Sequence, residues 1–363
     1  MITCFSPTVI AQRQTSLYID DGSGHFSVLQ AAPGGGTVTM PTGSGTLTFG
    51  AGGGCAPPTG SLMTFGDNGL HAGYTFWGFS QTYGTNTWTT GTVTPTPQFA
   101  MTSAVVNGKI YVIGGSNSLQ NNNNVYDPAT DSWVARAALP VPQYYMTSAV
   151  VNGKIYVFGG ENLPQNNTQI YNPVTNIWTT GAVMPVPQFE MTSAVVNGKI
   201  YLIGGVAGTQ KQNQIYDPAT DTWSTGAALP IGQFDFTCQA VDGKIYVIGG
   251  SHPGFNQVQI YNPSTDTWSV GAPLPVGQHG MTSAIVAGKI YVIGGFNGAN
   301  NNVQIYDPLT NLWTTGPVLP VAQYGMTSEV VNGNIYVIGG FFGSQNDNQI
   351  LNPSVTIYYF TAN

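Results

Sequence analysis

The chain contains few charged residues. Only 6% of its 363 residues are Asp, Glu, Lys or Arg, whereas a typical soluble domain has about 25%. Lys and Arg together number eight against 15 Asp and Glu, which gives a net charge of −7. Proteins that bind nucleic acid neutralise phosphates with clustered basic residues. The few basic residues here form no cluster along the sequence, so we expect no nucleic-acid partner.

Long apolar runs are also absent. No stretch stays apolar over the length that a bilayer-spanning helix needs, and we therefore expect no membrane insertion. The first residues, MITCFSPTVIAQRQ, lack the basic and apolar regions of a secretory signal. Two interpretations stay open: the protein is not exported by that route, or the sequence begins after a processed leader.

Cysteine is rare, with three residues in the chain. Cys238 takes the place of a serine in a predicted strand, which indicates a buried and inert thiol. Cys4 and Cys55 both lie in the N-terminal region, where a bond between them is an open alternative.

Helical spacing is missing, and 48 glycines and 24 prolines would interrupt helices. What the sequence has instead is a repeat of 45 residues, marked by a glycine pair and a later tryptophan. The glycine pairs are Gly114-Gly115, Gly159-Gly160, Gly204-Gly205, Gly249-Gly250, Gly294-Gly295 and Gly339-Gly340. The aromatic series on the same step is Trp88, Trp133, Trp178, Trp223, Trp268 and Trp313, with Tyr358 last.

Each repeat predicts four short strands. Met191–Val196 leads into Asn197-Gly198, a dipeptide that is the strongest short hairpin signal. The return strand Lys199–Ile203 ends at a glycine pair. A third strand ends at the turn residues Asp217-Pro218, and the fourth strand carries Trp223. The recurring Tyr and Trp side chains are large enough to fill the space between neighbouring sheets.

An apolar strand that ends in Gly-Gly and is followed by Tyr and Trp at this period resembles the kelch repeat. Six units match, from Phe99 to Phe360. The resemblance implies an all-β fold, a kelch-type β-propeller with a central channel and with loops clustered on two faces.

The N-terminal region has no clear copy of the repeat. Residues 1–54 predict a Gly-rich β segment or an assembly arm, residues 55–97 a divergent blade or linker, and residues 98–363 the six regular repeats. The last repeat carries its own predicted fourth strand, Thr356–Phe360, so the strand of Trp88 is not needed to close it. We therefore favour seven blades, six regular and one divergent; the alternative is six blades plus a small N-terminal β segment.

The kelch resemblance also implies where a ligand would bind, because two loops of each repeat then line one central pocket. The candidates after the glycine pairs are Ser116, Glu161, Val206, Ser251, Phe296 and Phe341, with His252 beside Ser251. The candidates that open the first strands are Ala100, Tyr145, Glu190, Asp235, Gly280 and Gly325, with His279 and Tyr324 directly before the last two.

These positions carry aromatic rings, amides and three carboxylates. Rings beside Asn and Gln suit a glycan. Glu161, Glu190 and Asp235 fall in three consecutive repeats, and carboxylate oxygens suit an amine or calcium. His252 and His279 lack a spaced third metal ligand. We expect no bound cofactor, with calcium as the one alternative. Kelch proteins that bind acidic peptides often have Arg here, and this chain has none.

A glutamine precedes the first strand in every repeat, from Gln98 to Gln323. Its constancy favours a structural role, in which the side chain satisfies loop backbone groups, over ligand binding. The variable neighbouring residues are better binding candidates.

We expect no enzymatic activity. Some kelch-like propellers are oxidases with a copper site built from Tyr, His and a Tyr–Cys crosslink, and others act on sialic acid through Arg. In this chain Cys238 is the one cysteine within the repeats, and Arg13 and Arg136 are the arginines. Few titratable groups are present for acid–base catalysis.

The sequence thus predicts a non-enzymatic binding or structural propeller on a particle or cell surface, such as a virion, tail-fibre or filament component. The expected partners are proteins or further copies bound through the N-terminal segment, and glycans at one propeller face. Low charge and Asn-, Gln- and Thr-rich loops favour this extracellular or virion location. The alternative is a cytoplasmic kelch adaptor that binds a protein partner.

Overall fold

The turn between the first two strands of each repeat has the left-handed backbone that its residues favour. In the computed structural model, Asn107 and Gly108 have φ of 52° and 72°, which is the requirement of a type I′ turn. The equivalent positions, among them Asn197 and Gly198, repeat this conformation. The hairpins predicted from Asn-Gly are therefore confirmed.

The structure describes residues 16–20, 26–30, 37–39, 46–48, 63–65, 76–116, 121–162, 165–206, 210–251, 256–297, 301–342 and 345–362. The chain divides into two compact units. One comprises residues 86–352, and the other residues 1–85 together with 353–363.

The smaller unit contains seven described strands. They are β1 (Ser16–Asp20), β2 (Phe26–Gln30), β3 (Thr37–Thr39), β4 (Thr46–Thr48), β5 (Met63–Phe65), β6 (Phe76–Tyr83) and, after the repeats, β31 (Val355–Ala362). They form the hairpins β1-β2 and β3-β4 and the sheet β31-β6-β5. Cys4, Cys55 and Arg13 lie outside the described residues. No helix among the described residues has the length and apolar character to cross a membrane.

The larger unit contains six four-stranded antiparallel sheets, called blades I to VI. Blade I contains β8 (Thr102–Val106), β9 (Lys109–Ile113), β10 (Asn123–Asp127) and β11 (Ser132–Ala135). Blade II contains β12 (Thr147–Val151), β13 (Lys154–Phe158), β14 (Thr168–Asn172) and β15 (Ile177–Thr180). Blade III contains β16 (Thr192–Val196), β17 (Lys199–Ile203), β18 (Asn213–Asp217) and β19 (Thr222–Thr225). Blade IV contains β20 (Thr237–Val241), β21 (Lys244–Ile248), β22 (Val258–Asn262) and β23 (Thr267–Val270). Blade V contains β24 (Thr282–Val286), β25 (Lys289–Ile293), β26 (Val303–Asp307) and β27 (Leu312–Thr315). Blade VI contains β28 (Thr327–Val331), β29 (Asn334–Ile338), β30 (Asn348–Asn352) and, from earlier in the chain, β7 (Thr87–Thr90).

The first strand of every blade lies next to the first strand of the next one, and β28 of blade VI contacts β8 of blade I. The blades thus form a closed ring around a central channel. The all-β propeller predicted from the repeats is confirmed, with six blades in the described part of the chain.

The expectation of a seventh blade is wrong. The strand that carries Trp88 is β7, and it pairs with β30 as the fourth strand of blade VI. The predicted fourth strand Thr356–Phe360 is instead part of β31, which pairs with β6 in the smaller unit. The alternative of six blades plus a small N-terminal β segment describes the structure.

The reason lies in the turn before each fourth strand. The second residue before the tryptophan has positive φ in every blade, with 48° at Asp131 and 55° at Asn311. Asn and Asp tolerate this conformation, whereas a β-branched residue does not. The last repeat has Thr356 at this position, while Asn86 precedes β7 and has φ of 55°. The N-terminal strand therefore completes blade VI.

The hydrophobic core lies between adjacent blades. Tyr111 of blade I contacts Tyr171 of blade II, with ring centroids 5.9 Å apart. The contact of Tyr126 with Tyr336, at 5.8 Å, closes the ring between blades I and VI. Tyr171 is fully buried and also packs on Trp178. The predicted role of the Tyr and Trp series in filling the space between sheets is confirmed.

A polar clamp joins neighbouring blades next to these tyrosines. Asp221 of blade III accepts a hydrogen bond from the Tyr216 hydroxyl at 2.6 Å and one from the Ala182 amide of the preceding segment at 2.7 Å. The same arrangement recurs at Asp131, Asn176, Asp266 and Asn311. Each clamp ties the outer end of a blade to the chain that leaves its neighbour.

The joint between blades V and VI lacks this clamp. Leu351 stands where the other five blades have the tyrosine, and it has no hydroxyl to donate. Pro317 stands where the others have a backbone amide donor, which proline does not have. The Trp88 indole still donates to the Pro317 carbonyl at 3.0 Å. Blade VI, which contains β7, is thus attached to blade V without the tyrosine–amide clamp of the other joints.

Hydroxyl groups form a ring inside the channel. In each blade the threonine that opens the first strand bonds the next blade's second residue, as in Thr147 to Ser193 at 2.8 Å and Thr282 to Ser328 at 2.7 Å. Cys238 replaces serine in this ring and accepts from Thr192 at 3.2 Å. Burial raises the pKa of Cys238 to about 12. The predicted burial of the thiol is confirmed, and its inertness stays a prediction.

Glu329 is a carboxyl group in this channel. Four blades have alanine at its position. Ser103 donates a hydrogen bond to Glu329 at 2.8 Å. Burial raises the pKa of Glu329 to about 7 from its ordinary 4.5, against the smaller lowering effect of the Ser103 bond.

Replacing Glu329 with Gln is expected to raise the free energy of unfolding by about 1–3 kcal/mol at pH 8, since one pKa unit corresponds to about 1.4 kcal/mol. Between pH 4.5 and 7 the folded protein keeps a proton on Glu329 that the unfolded chain has released. Wild-type stability therefore falls as pH rises through this range, and the difference from E329Q should shrink towards pH 4.5. Thermal unfolding at both pH values measures this, with the surface variant Asp217→Asn as a charge-matched control. A difference that does not depend on pH would contradict the assignment.

Candidate functional site

Two loops of each blade lie side by side on one face of the propeller. The residue after the glycine pair donates its amide hydrogen to the carbonyl of the residue after the repeated glutamine. Examples are Glu161 to Tyr144 at 2.9 Å and Phe296 to His279 at 2.7 Å. Both predicted sets of candidates are therefore brought to the same face, which we call the loop face.

A closed ring of backbone hydrogen bonds surrounds the axis at this face. Each member donates its amide to the carbonyl of its counterpart in the neighbouring blade, as in Tyr145 to Ala100 at 2.8 Å and Ala100 to Gly325 at 2.8 Å. The six members are Ala100, Tyr145, Glu190, Asp235, Gly280 and Gly325. All six have positive φ, between 52° and 65°. Four of them are not glycine, and such strained residues tend to cluster at functional sites.

This ring surrounds a cavity of about 110 Å³. Below the ring, the cavity is lined by a tier of apolar side chains, five methionines and Phe236. A water needs roughly 10–15 Å³ of such space, so the cavity has room for several waters or for the end of one side chain. None of the residues that line it is Lys or Arg.

One side of the cavity is acidic. Glu190 and Asp235 line it directly, and Glu161 lies close enough to act on Glu190. Burial, followed by the charges of Asp235 and Glu161, raises the pKa of Glu190 to about 7, while the charge of His279 opposes the shift. Burial and the same carboxylates raise the pKa of Tyr145 well above its ordinary value.

Asp235 is held by a histidine of the next blade. His279 Nδ1 lies 2.7 Å from Asp235 Oδ2. Gly280 leaves room for this pair, because a Cβ there would lie 3.4 Å from Asp235 Oδ2 and 3.3 Å from Tyr324. Glu190 differs from Asp235, since no described residue donates a hydrogen bond to its side chain.

The other side of the loop face carries an aromatic cluster. It consists of Phe99, His279, Phe296, Tyr324, Phe341 and Phe342, which touch one another in sequence around blades V, VI and I. Phe296 and Phe342 are 43% and 46% exposed. Two such rings on the surface form an apolar patch beside the acidic side of the cavity.

The repeated glutamines are structural. All six are buried, with Gln143, Gln188, Gln233, Gln278 and Gln323 at 0% exposure. Gln188 donates to the Gly204 carbonyl and accepts from Gln214 at 2.7 Å. These side chains hold the loops and do not point to solvent, as their constancy indicated.

The structure brings most sequence-predicted site residues together. Tyr145, Glu190 and Asp235 line the cavity, and Phe296, Tyr324, Phe341 and His279 belong to the aromatic cluster. Glu161 bonds Tyr144, and Ser116 and Ser251 bond Phe99 and Phe234, through backbone groups of the paired loops. His252 lies outside the described residues. Whether these residues bind a ligand remains a prediction.

Sequence reasoning missed Phe342 and the methionine tier. Phe342 is adjacent to the predicted Phe341, and two consecutive phenylalanines after a glycine pair occur in no other repeat. That difference was a usable signal. The methionines at 101, 146, 191, 281 and 326 recur at the repeat spacing, and their periodicity indicated structure rather than a cavity wall.

No metal centre is visible in the described part of the chain. No group of three or more His, Cys, Asp or Glu residues there is placed to hold a metal ion. Cys238 is bonded within the hydroxyl ring, so it does not combine with the loop-face residues.

Family models match most of the larger unit. A model described as the KLHDC2/KLHL20/DRC7 Kelch-repeats domain matches residues 100–269. The Kelch motif model matches residues 279–319 and 324–354. Both sets of boundaries fall within the region of regular repeats.

A comparison with curated proteins finds no match. Among solved structures, one described as "Structure of YjhT" is similar, with a TM-score of 0.61 and 23% sequence identity. The match covers 75% of this chain and 99% of that one. At this identity the similarity supports the fold alone.

Proposed function

Because the chain belongs to the kelch-repeat family, we propose that it is a non-enzymatic binding propeller and that the loop face is its interaction surface. The observation that carries this proposal is the aromatic cluster, with Phe296 and Phe342 nearly half exposed. Contiguous exposed apolar patches on soluble proteins usually mark interaction sites.

A protein is the partner class that this surface fits best. Aromatic residues are enriched in the centres of protein interfaces and supply much of their binding energy. The opposite wall of the same face is acidic, so a bound surface would meet apolar and charged contacts side by side. The six-bladed ring holds the loops in place, which limits the ordering cost of binding.

Phe296→Ser is expected to weaken partner binding at least tenfold, since a buried aromatic anchor contributes about 2 kcal/mol or more. Serine occupies the equivalent position in blades I and IV, so the loop backbone should be retained. The matched control is Leu312→Thr, which removes an apolar side chain that is 60% exposed on an outer strand. Quantitative affinity purification compares the proteins enriched by the wild type and both variants. Equal loss in the two variants, or no loss in F296S, would argue against the loop face.

Glycan binding is a second candidate, favoured by one observation. The rings of Phe296 and Phe342 lie within 22° of parallel, with centroids 6.4 Å apart, and flat aromatic surfaces of this kind suit the C–H faces of sugars. A glycan array probed with wild type and F296S tests the idea. Absence of any F296S-sensitive signal would remove glycans and leave the protein-binding proposal.

A location on a particle or cell surface is part of the same proposal. It is supported by the low charge and the Asn-, Gln- and Thr-rich loops. Fractionation followed by electron microscopy tests it: the chain should be recovered in particles, filaments or the extracellular fraction. Recovery as a cytosolic protein without self-association would favour the kelch adaptor alternative.

A further inference from the structure

We infer from its shape and charge that the cavity at the centre of the loop face is a socket, that is, a binding site for one cationic side chain of a protein partner. The side chain is arginine or lysine, and the aromatic cluster at the rim of the cavity completes the socket. The inference rests on the proposed function, because it specifies what the loop face recognises. It commits to a side chain of a protein and not to a free amine.

The charge of the cavity selects a cation. Glu190 and Asp235 line it, and no Lys or Arg does. His279 bonds Asp235, but no described residue donates a hydrogen bond to the Glu190 carboxylate. A carboxylate held in a partly buried place without a donor is costly, and a bound guanidinium or ammonium group would supply the missing donors. An anionic ligand would meet repulsion at the same place.

The size of the cavity selects a single side chain. A volume of about 110 Å³ accommodates the end of one side chain but not a folded element. The backbone amides and carbonyls of the surrounding ring already bond one another, so the side chains, not the backbone, are left to recognise what enters. The apolar tier below, with Met191 and Phe236, offers no polar partner, so the charged group is expected to stop at the level of Glu190.

The aromatic cluster supplies the rest of the contact. A cation is attracted to ring faces within about 6 Å, and the methylene stem of Arg or Lys packs on apolar surface. Phe296 and Phe342 are exposed at the rim. They can therefore cover apolar residues that flank the inserted side chain. Charge complementarity thus points to a basic segment with apolar neighbours rather than to another copy of this acidic chain, whose net charge is −7.

The test uses three probe peptides titrated into the full-length protein by calorimetry. They are Ac-Gly-Phe-Arg-Phe-Gly-NH₂, the same peptide with citrulline in place of arginine, and the same peptide with glutamate. Citrulline keeps the shape of arginine and lacks its charge. The arginine peptide is expected to bind at least tenfold more tightly than the citrulline peptide, and the glutamate peptide should not bind. Spermidine, tested in parallel, should bind more weakly than the arginine peptide if flanking residues contribute.

Two variants locate the site. Glu190→Gln keeps the side-chain shape and should weaken the arginine peptide at least tenfold, with little change for the citrulline peptide. Asp217→Asn removes one negative charge elsewhere, at a position where blades II and IV have asparagine, and should change affinity less than twofold. The comparison of arginine with citrulline on the wild type does not depend on the folding of any variant.

The inference is overturned if the arginine peptide fails to bind at millimolar concentration, if citrulline binds equally well, or if E190Q has no effect. Its failure is distinguishable from failure of the proposed function. Loss of partner binding in F296S without a change in E190Q would keep the loop face as the interaction surface and remove the socket. No change in either variant would remove both.

Discussion

Gly159→Ala is expected to lower the free energy of unfolding by about 3 kcal/mol or more, a value at the upper end of overpacking costs. Gly159 is the first glycine of the pair in blade II and has φ of 60°. An added Cβ would overlap the carbonyl oxygen of Gln188 and lie 2.6 Å from Met191 Cε. The Gln188 carbonyl already accepts the Gly160 amide at 3.1 Å, so it has little freedom to move.

The matched control is Gly198→Ala. Gly198 has φ of 76°, and a Cβ there would meet nothing within 4 Å. Both variants carry the cost of an alanine at positive φ, roughly 1–2 kcal/mol, so their difference isolates the overlap. In a unit of this size 1 kcal/mol changes the melting temperature by roughly 2–4 °C. Gly159→Ala should therefore melt at a clearly lower temperature than Gly198→Ala. Equal melting temperatures would show that the loop of Gln188, which faces the glycine pair, can shift to make room.

Thr89→Pro in β7 is expected to lower the free energy of unfolding by about 3 kcal/mol. Proline would remove a hydrogen bond between strands, leave the partner carbonyl without a donor and distort the strand. Thr89 lies opposite Ile350. Gly91 donates its amide to the Asn348 carbonyl at 2.9 Å, and amides of an antiparallel strand alternate in direction. The amide of Thr89 therefore faces β30 and bonds it, and proline removes this donor.

Thr90→Pro is the control, because the Thr90 amide faces away from β30 by the same alternation. Proline at an outward position of an edge strand is tolerated. T89P should melt at a lower temperature than T90P and be cut sooner by proteases near residues 86–91. If both variants melt at the wild-type temperature, β7 does not stabilise blade VI. The pairing of β7 with β30 would then not be what stabilises the closed ring.

Much of the larger unit was predictable because its signals are local. The Asn-Gly turn, the Asp-Pro turn and the alternating strands each depend on residues close in sequence, and the structure has them where the repeats place them. The 45-residue period then predicts stacking, since one four-stranded sheet cannot cover both its faces.

The sequence favoured seven blades over the alternative of six. The observed number depends on a pairing between β7 and β30, which lie far apart in sequence. The usable signal was one residue: Thr356 is β-branched at a position that needs positive φ, whereas Asn86 is suited to it. The repeat count drew attention to Tyr358 instead, whose spacing matches the tryptophans.

The sequence predicted which residues lie together at the candidate site, but not how they divide the loop face. The repeat register placed Tyr145, Glu190 and Asp235 at equivalent points, and the structure brings them to one cavity. The division of the loop face into acidic and aromatic sides depends on the circular order of the blades. The bond between His279 and Asp235 also joins two blades, so neither feature appears in a single repeat.

The joint between blades V and VI has a consequence for how the ring is assembled. The six blades are nearly identical, so an unpaired strand such as β7 could pair with the third strand of any repeat at a similar energy. Competing pairings of similar energy slow folding to one structure. Trp88 lies opposite Leu351, whereas Trp133 and its other counterparts lie opposite tyrosine. Leu351 thus makes the third strand of blade VI different from the third strands of the other blades. Leu351, which removes the tyrosine from this joint, therefore also distinguishes the strand with which β7 pairs to close the ring.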